Sequence, residues 1–185
     1  MENKKRLKQR MYFFVLYSLS PIQKGIQAGN AALNYAFKFG NNQEFRDFIF
    51  YDKTWIILDG GTANDGHWGS AKGTMEEIDN LLQDNGIKHT IFNERDVNNA
   101  LTAICFLADE RVWNKEDYPD FLWFIIKKLQ DNDSKIDSNT FIRLRSSDEA
   151  DLIKEFTELY DEWFDLMGEK TIFIRKLLKN KKLAL

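Results

Sequence analysis

Cysteine, histidine and proline are scarce in this chain, and each scarcity removes a class of chemistry. A single cysteine, Cys105, in 185 residues leaves no partner for an intrachain disulfide and suits a reducing, cytoplasmic setting. It sits in the apolar run 101–108, the surroundings of a buried, inert thiol rather than of a nucleophile. Only two histidines, His67 and His89, accompany it, too few for a His/Cys zinc site. His89 shares a strand face with isoleucines and reads as a structural residue. The two prolines leave most of the chain free to form regular elements, and one of them, Pro21, stands where a helix begins.

Long hydrophobic stretches are missing too. The run 101–108 is far short of the roughly 20 residues that span a bilayer. Residues 1–10 are basic but carry no A-x-A cleavage pattern, so no signal peptide and no membrane are expected. Motifs are absent as well. There is no G-x-x-x-x-G-K-[ST], no G-x-G-x-x-G after a strand and no G-x-S-x-G elbow. The glycine-rich segment from Asp59 to Gly66 fails as a calcium loop, because its third and fifth positions are Gly61 and Ala63. No metal and no cofactor are expected.

What is present is ample for a packed core: 43% hydrophobic residues, 14% aromatic and 30% charged. That composition excludes disorder and fits one domain with an elaborated end. The net charge of −3 is unevenly spread. Lys4, Lys5, Arg6, Lys8 and Arg10 lie at one end, Arg175, Lys176, Lys179, Lys181 and Lys182 at the other, and residues 149–165 are acidic. Basic ends can neutralise phosphates of an RNA, or can be solvated tails.

Apolar periodicity orders the elements. Residues 12–17 read as a buried strand, followed by a Ser20-Pro21 turn and a helix to about residue 37. That helix holds Gly25 and Gly29, each costing roughly 1 kcal/mol relative to alanine, so another backbone or a substrate must need the space. Residues 41–50 form a short helix or turn, residues 53–58 a second buried strand, and residues 59–73 a loop. A helix starts at Thr74 as N-cap with Glu77 completing a capping box, and ends at Asn85-Gly86. Strands follow at 87–92 and 101–107, with a polar turn at 93–98 between them. The order predicts an α/β fold: a mixed, roughly four-stranded sheet with helices on both faces. From residue 115 the texture changes. An apolar, aromatic stretch (118–129) and a polar connector (130–139) lead to an amphipathic helix over 147–166. Its stripe is Leu152, Phe156, Leu159, Tyr160, Trp163 and Leu166 or Met167. Such a stripe is core or a partner-helix surface, and in the second case would form a homodimer. Residues 171–185 read as helix or strand, with helix preferred. The chain thus divides into a basic tail (1–10), an α/β domain (11–114) and a mainly helical extension (115–185).

The pattern Leu-Ser-x-x-Gln-x-x-x-Gln-x-x-x-Ala-Ala over residues 19–32, with Gln27-Ala-Gly-Asn30-Ala-Ala32 at its centre, resembles the peptidyl-tRNA hydrolase type 2 family. Phe92-Asn-Glu-Arg-Asp96 followed by Thr102-Ala-Ile supplies the second match, and the likeness covers residues 11–112. The family is known from archaea and eukaryotes, with small relatives in bacteria and viruses, so a viral accessory protein is one setting the resemblance suggests. It implies hydrolysis of the ester joining a peptide to the 3′ end of tRNA. Carried over by position, Asp96 is the water-orienting or basic carboxylate and Thr102 its hydrogen-bonding partner. Asn30 stands where the family has a histidine, and an amide cannot exchange a proton near pH 7. The family's basic residue near the helix start aligns with Gln23, next to Lys24. The link from Asp96 to Thr102 is shorter than in the hydrolases and lacks their Asp-Ala-Gly. Substrate contacts are expected from Gln23, Lys24, Gln27, Asn98, Asn99, Asp59, Gly60, Gly61 and Thr62. The alternatives are that Asp96 and Asn98 merely shape a turn, or that the fold binds tRNA or a small nucleotide without turnover, since helix N-termini favour phosphate.

Overall fold

A computed structural model describes residues 6–63, 73–131 and 136–184. Lys4 and Lys5 of the basic tail, residues 64–72 of the glycine-rich loop with His67, part of the polar connector and Leu185 lie outside the described residues. Two compact units emerge, one made of residues up to Glu110 together with those from Phe173 onward, the other of Arg111–Ile172.

The first unit is built on β1 (Gln9–Leu16), whose residues 11–16 are all buried. A strand buried on both faces reads as a continuous apolar run and needs a neighbour along each edge and a layer over each face. Its edges pair in parallel with β2 (Thr54–Gly61) and antiparallel with β4 (Ala100–Asp109), and β4 pairs antiparallel with β3 (His89–Glu94). The sheet order is β2-β1-β4-β3. Side chains alternate across the strands. Met11, Phe13 and Val15, with Ala103 and Cys105 opposite them, pack under Ala28, Ala31 and Tyr35 of α1 (Pro21–Phe39). Tyr12 and Phe14 point to the other face and stack on Phe106, with ring centroids 5.6 and 6.1 Å apart. Met75, Ile78 and Leu82 of α3 (Thr74–Asp84) are buried, and Met75 lies beside Phe14. The expected mixed four-stranded sheet with helices on both faces is therefore the observed one.

Local signals explain most boundaries. Ser20 caps α1 and forms a capping box with Gln23, with Pro21 as the first helical residue. Between α1 and β2 run α2 (Gln43–Asp47) and a π-helical turn (Phe48–Asp52). Arg6 makes two hydrogen bonds to the Asp52 carboxylate (2.7 and 3.0 Å), which also accepts from the Gln9 N–H (2.8 Å). Part of the basic tail is thus tied down, and β1 begins within it.

Thr74 is not the N-cap. Gly73 takes that position, and the Thr74 hydroxyl instead donates to Gly60 O (2.8 Å) and accepts from the Thr62 N–H (2.9 Å). It welds the start of α3 to the end of β2, a tertiary role that the local capping pattern cannot reveal. The end of β2 is also covered from outside. The Asp59 N–H donates to Lys182 O and the Ala184 N–H to Ile57 O, both at 3.0 Å, so residues 182–184 lie antiparallel along that edge around the Leu58–Leu183 bridge.

The second unit is helical: α4 (Phe121–Asp131), α5 (Ser138–Ser146), α6 (Glu149–Glu155) and α7 (Thr157–Met167). The division between units falls inside α8 (Glu169–Leu178). Phe121, Ile125, Leu144, Leu152, Trp163 and Met167 form the second unit's core, and the buried Trp163 Nε1 donates to Pro119 O (2.9 Å). The amphipathic stripe expected over 147–166 is therefore core. The single helix expected there is broken at Phe156 (φ −121°, ψ 46°). The Thr157 hydroxyl donates to Ile153 O (3.1 Å), taking the carbonyl that the break frees.

Gly60 has no room for a side chain, since an added Cβ would lie 2.1 Å from Met75 Sδ and 3.1 Å from Val15 O. Gly60→Ala is expected to lower stability by about 1–3 kcal/mol, the usual cost of overpacking. Urea denaturation measures it, and an unchanged midpoint would contradict the packing of Met75 on this face.

Candidate functional site

The clearest polar cluster of the first unit forms where α1, the end of β3 and the start of β4 meet. Thr102 starts it. The β3–β4 register shifts between Phe92 and Asn93: Phe92 lies opposite Ala103 but Asn93 opposite Leu101. Thr102 is thus the extra residue of a bulge. Regular alternation would turn Thr102 to the face of Ile104 and Phe106, away from α1; a bulge re-aims a side chain. Here the fully buried Thr102 hydroxyl reaches Gln27 Oε1 on α1 (3.0 Å) and also lies 3.2 Å from Phe92 O.

Gln27, only 6% exposed, passes the connection on. Accepting from Thr102 fixes its amide so that Nε2 faces outward and donates to Glu94 Oε2 (2.8 Å). Glu94 is the last residue of β3. The Gln27 hydrogen bond, helped by the backbone N–H groups of Asp96 and Arg95, holds its carboxyl below the ordinary value of 4.5. Charge-assisted bonds of this kind favour the ionised form. The result is a chain of groups, hydroxyl to amide to carboxylate, running from core to surface.

The sequence-derived candidates divide around this cluster. Gln27 and Thr102, 75 positions apart, are brought together. Asp96 is not: it lies exposed in the 3₁₀ turn Arg95–Val97, and its backbone rather than its carboxylate serves the cluster. Asn30 is half-buried on α1, one turn beyond Gln27. Gln23 is spent on the capping box, its Oε1 accepting from the Ser20 N–H (3.0 Å). Lys24 is buried at 6% exposure and already engaged. Asn98 and Asn99 have φ of 52° and 57°, a left-handed conformation that asparagine tolerates better than most residues. They shape the β3–β4 turn, where Asn93 Nδ2 donates to Asn99 O (3.0 Å).

Asp59, Gly60, Gly61 and Thr62 form a joint. Asp59 Oδ1 accepts from the Gly61 N–H (2.8 Å), and Gly60, Gly61 and Thr62 fit against Met75 and Thr74. Gly61 has φ +84°, a conformation suited to glycine. The described part of the loop is therefore occupied by structure. The remainder, Asn64 to Gly66, lies outside the described residues.

Glu94 is the residue that reading the sequence missed. The family resemblance points to the later acid, Asp96, and the apolar alternation predicts a strand that stops at residue 92, whereas β3 runs to Glu94. Its signal was position: a carboxylate ending a strand that faces a helix bearing glutamine. His89 is structural, its Nδ1 2.8 Å from Ile87 O and its Nε2 2.7 Å from Asp79 Oδ1. Cys105 is buried, and desolvation pushes its thiol up to about 12.

Among the described residues no three His, Cys, Asp or Glu side chains are placed to hold a metal ion. None of their helices is long and apolar enough to cross a membrane. In the second unit an open hollow of about 750 Å³ has Trp123, Phe141 and Ile142 among its walls. Its Lys115 is paired with Asp120 (2.6 Å), and its Asp137 caps α5 through the Thr140 N–H (2.7 Å). No protein-family model matches the chain, and no curated protein matches it.

Two outcomes test the cluster. Thr102→Val keeps the shape but leaves buried Gln27 Oε1 unpaired, so a loss of about 1–3 kcal/mol is expected in thermal denaturation. Glu94 adds a pH signature. A carboxyl lowered in the folded state stabilises above its unfolded value and loses that contribution as pH falls through the folded value. The stability gap between wild type and Glu94→Gln is thus expected to be constant above about pH 5.5 and to close as pH falls below 4.5. A gap that is independent of pH would show that Glu94 is not held ionised.

Proposed function

We propose that the first unit is a divergent peptidyl-tRNA-hydrolase-like domain acting on the ester at the 3′ end of a charged tRNA. One observation carries the reading: Gln27 and Thr102, both from the segments that resemble that family, are hydrogen-bonded to each other and close on the Glu94 carboxylate. Ester hydrolysis needs a carboxylate within one hydrogen bond of the attacking water, held by a partner that does not move. In this reading Glu94 orients the water through Oε1, the oxygen that Gln27 leaves free. Gln27 is its positioning residue, locked from behind by Thr102. Asp96 contributes only its N–H.

A second reading is favoured by the state of Glu94 itself. A carboxylate already served by Gln27 and two backbone N–H groups is a weak base, and Asn30 offers no proton in place of the family's histidine. The same surface would then hold the terminal nucleotides of an RNA, or a small nucleotide, without cleaving them.

Release of tRNA from N-acetyl-aminoacyl-tRNA by the purified chain separates the two. Under the first reading turnover is detected, Glu94→Gln lowers it by about 10²-fold or more, and Asp96→Asn leaves it within about threefold, since its side chain takes no part. Binding of tRNA without release supports the second reading. Neither binding nor release would overturn both.

A further inference from the structure

The outer face of α1 is apolar where a surface helix is normally polar. Ile22, Ile26, Leu33 and Phe37 are 78, 55, 70 and 96% exposed, and their spacing puts them on one stripe opposite Ala28, Ala31 and Tyr35. Of the two lysines on α1, Lys38 is exposed in the last turn, whereas Lys24 points inward and is buried. A helix apolar on both sides is one that expects to be covered twice. Gly25 and Gly29 agree. A Cβ built on either would meet no described atom within 4 Å, so packing among the described residues does not require them, although glycine weakens a helix relative to alanine. Glycines four apart, flanked by large aliphatic side chains, let a second helix backbone come close.

The stripe identifies its occupant by its symmetry. Its midpoint falls between Gly29 and Asn30, with Ile26 and Leu33 equally spaced about it and Ile22 and Phe37 likewise. A two-fold axis through that midpoint lays Ile26 on Leu33 and Ile22 on Phe37 of the other helix, glycine side against glycine side. Such a surface is self-complementary, as an isologous interface must be. The stripe holds no charged residue, so two copies bring no like charges together, and antiparallel helices oppose their dipoles favourably. The four side chains expose on the order of 500 Å² per copy, hence about 1,000 Å² for two, the lower bound of a specific interface.

We propose that the chain forms a two-fold dimer through α1, its helices antiparallel and crossing at Gly29. This surface lies off the face that carries Gln27, and the inference does not depend on the reading of the Glu94 site.

Sedimentation velocity of the full chain from micromolar to submillimolar concentration tests it. A reversible dimer is expected, with Leu33→Asp weakening association about tenfold or more at unchanged circular dichroism. Gly29→Leu supplies a control against misfolding: it is expected to raise the melting temperature of the monomer while weakening the dimer, opposite signs that a folding defect cannot produce. Register is read by disulfide trapping. Chains carrying Ile26→Cys are expected to cross-link to chains carrying Leu33→Cys and not to themselves, because the two-fold puts the paired Ile26 positions about 10 Å apart along the axis, beyond disulfide reach. A monomer at every concentration, a dimer that survives Leu33→Asp, or Ile26→Cys chains linked to each other would each overturn the proposal.

Discussion

The first unit is organised by the need to cover β1 on every side. Six consecutive buried residues, 11–16, include Phe13 and Phe14 on opposite faces, each worth about 1.5–3 kcal/mol when removed from water. Neither face can be left to solvent, so α1 must lie over one and α3 over the other, while β2 and β4 occupy the edges. Small residues decide how closely the first layer sits. Ala28 and Ala31 on α1 and Ala103 on β4 bring the helix near enough for a glutamine side chain to reach the sheet.

The polar cluster follows from that closeness and from one irregularity. A regular β4 would present Thr102 to the α3 face, and Gln27 Oε1 would be buried without a donor, a cost of about 1–3 kcal/mol. The bulge opposite Phe92 and Asn93 removes that cost and sets the hydroxyl under the amide. The site is thus a by-product of register: the same defect that breaks strand pairing lines up three polar groups from three elements.

Much of the fold was legible because its determinants are local. Ser20 and Pro21 start α1, Asn85 and Gly86 end α3, and apolar runs mark the strands. Legibility failed where the determinant was a distant contact. Thr74 carries the pattern of an N-cap, yet its hydroxyl is taken by Gly60 and Thr62, twelve and more positions away. The break at Phe156 leaves no trace in the periodicity of its stripe, because α6 and α7 keep a common apolar side. Within the polar cluster, Gln27 and Thr102 were legible because each stands in a short polar motif of the sequence, at residues 19–32 and 92–104, whereas Glu94 depends on how far β3 extends. That length is set by pairing with β4 and not by residues 89–94 themselves.

The strand edge closed by residues 182–184 bears on how the protein is made. These residues hydrogen-bond to Ile57 and Asp59, yet they follow the whole of the second unit in the chain. This cover on the β2 edge can therefore form only after the 111–172 unit has been synthesised. Until then β2 offers an open edge, the kind of surface that pairs with other nascent chains. Chain order makes the second unit an insertion within the first, and places the covering of this edge after its synthesis.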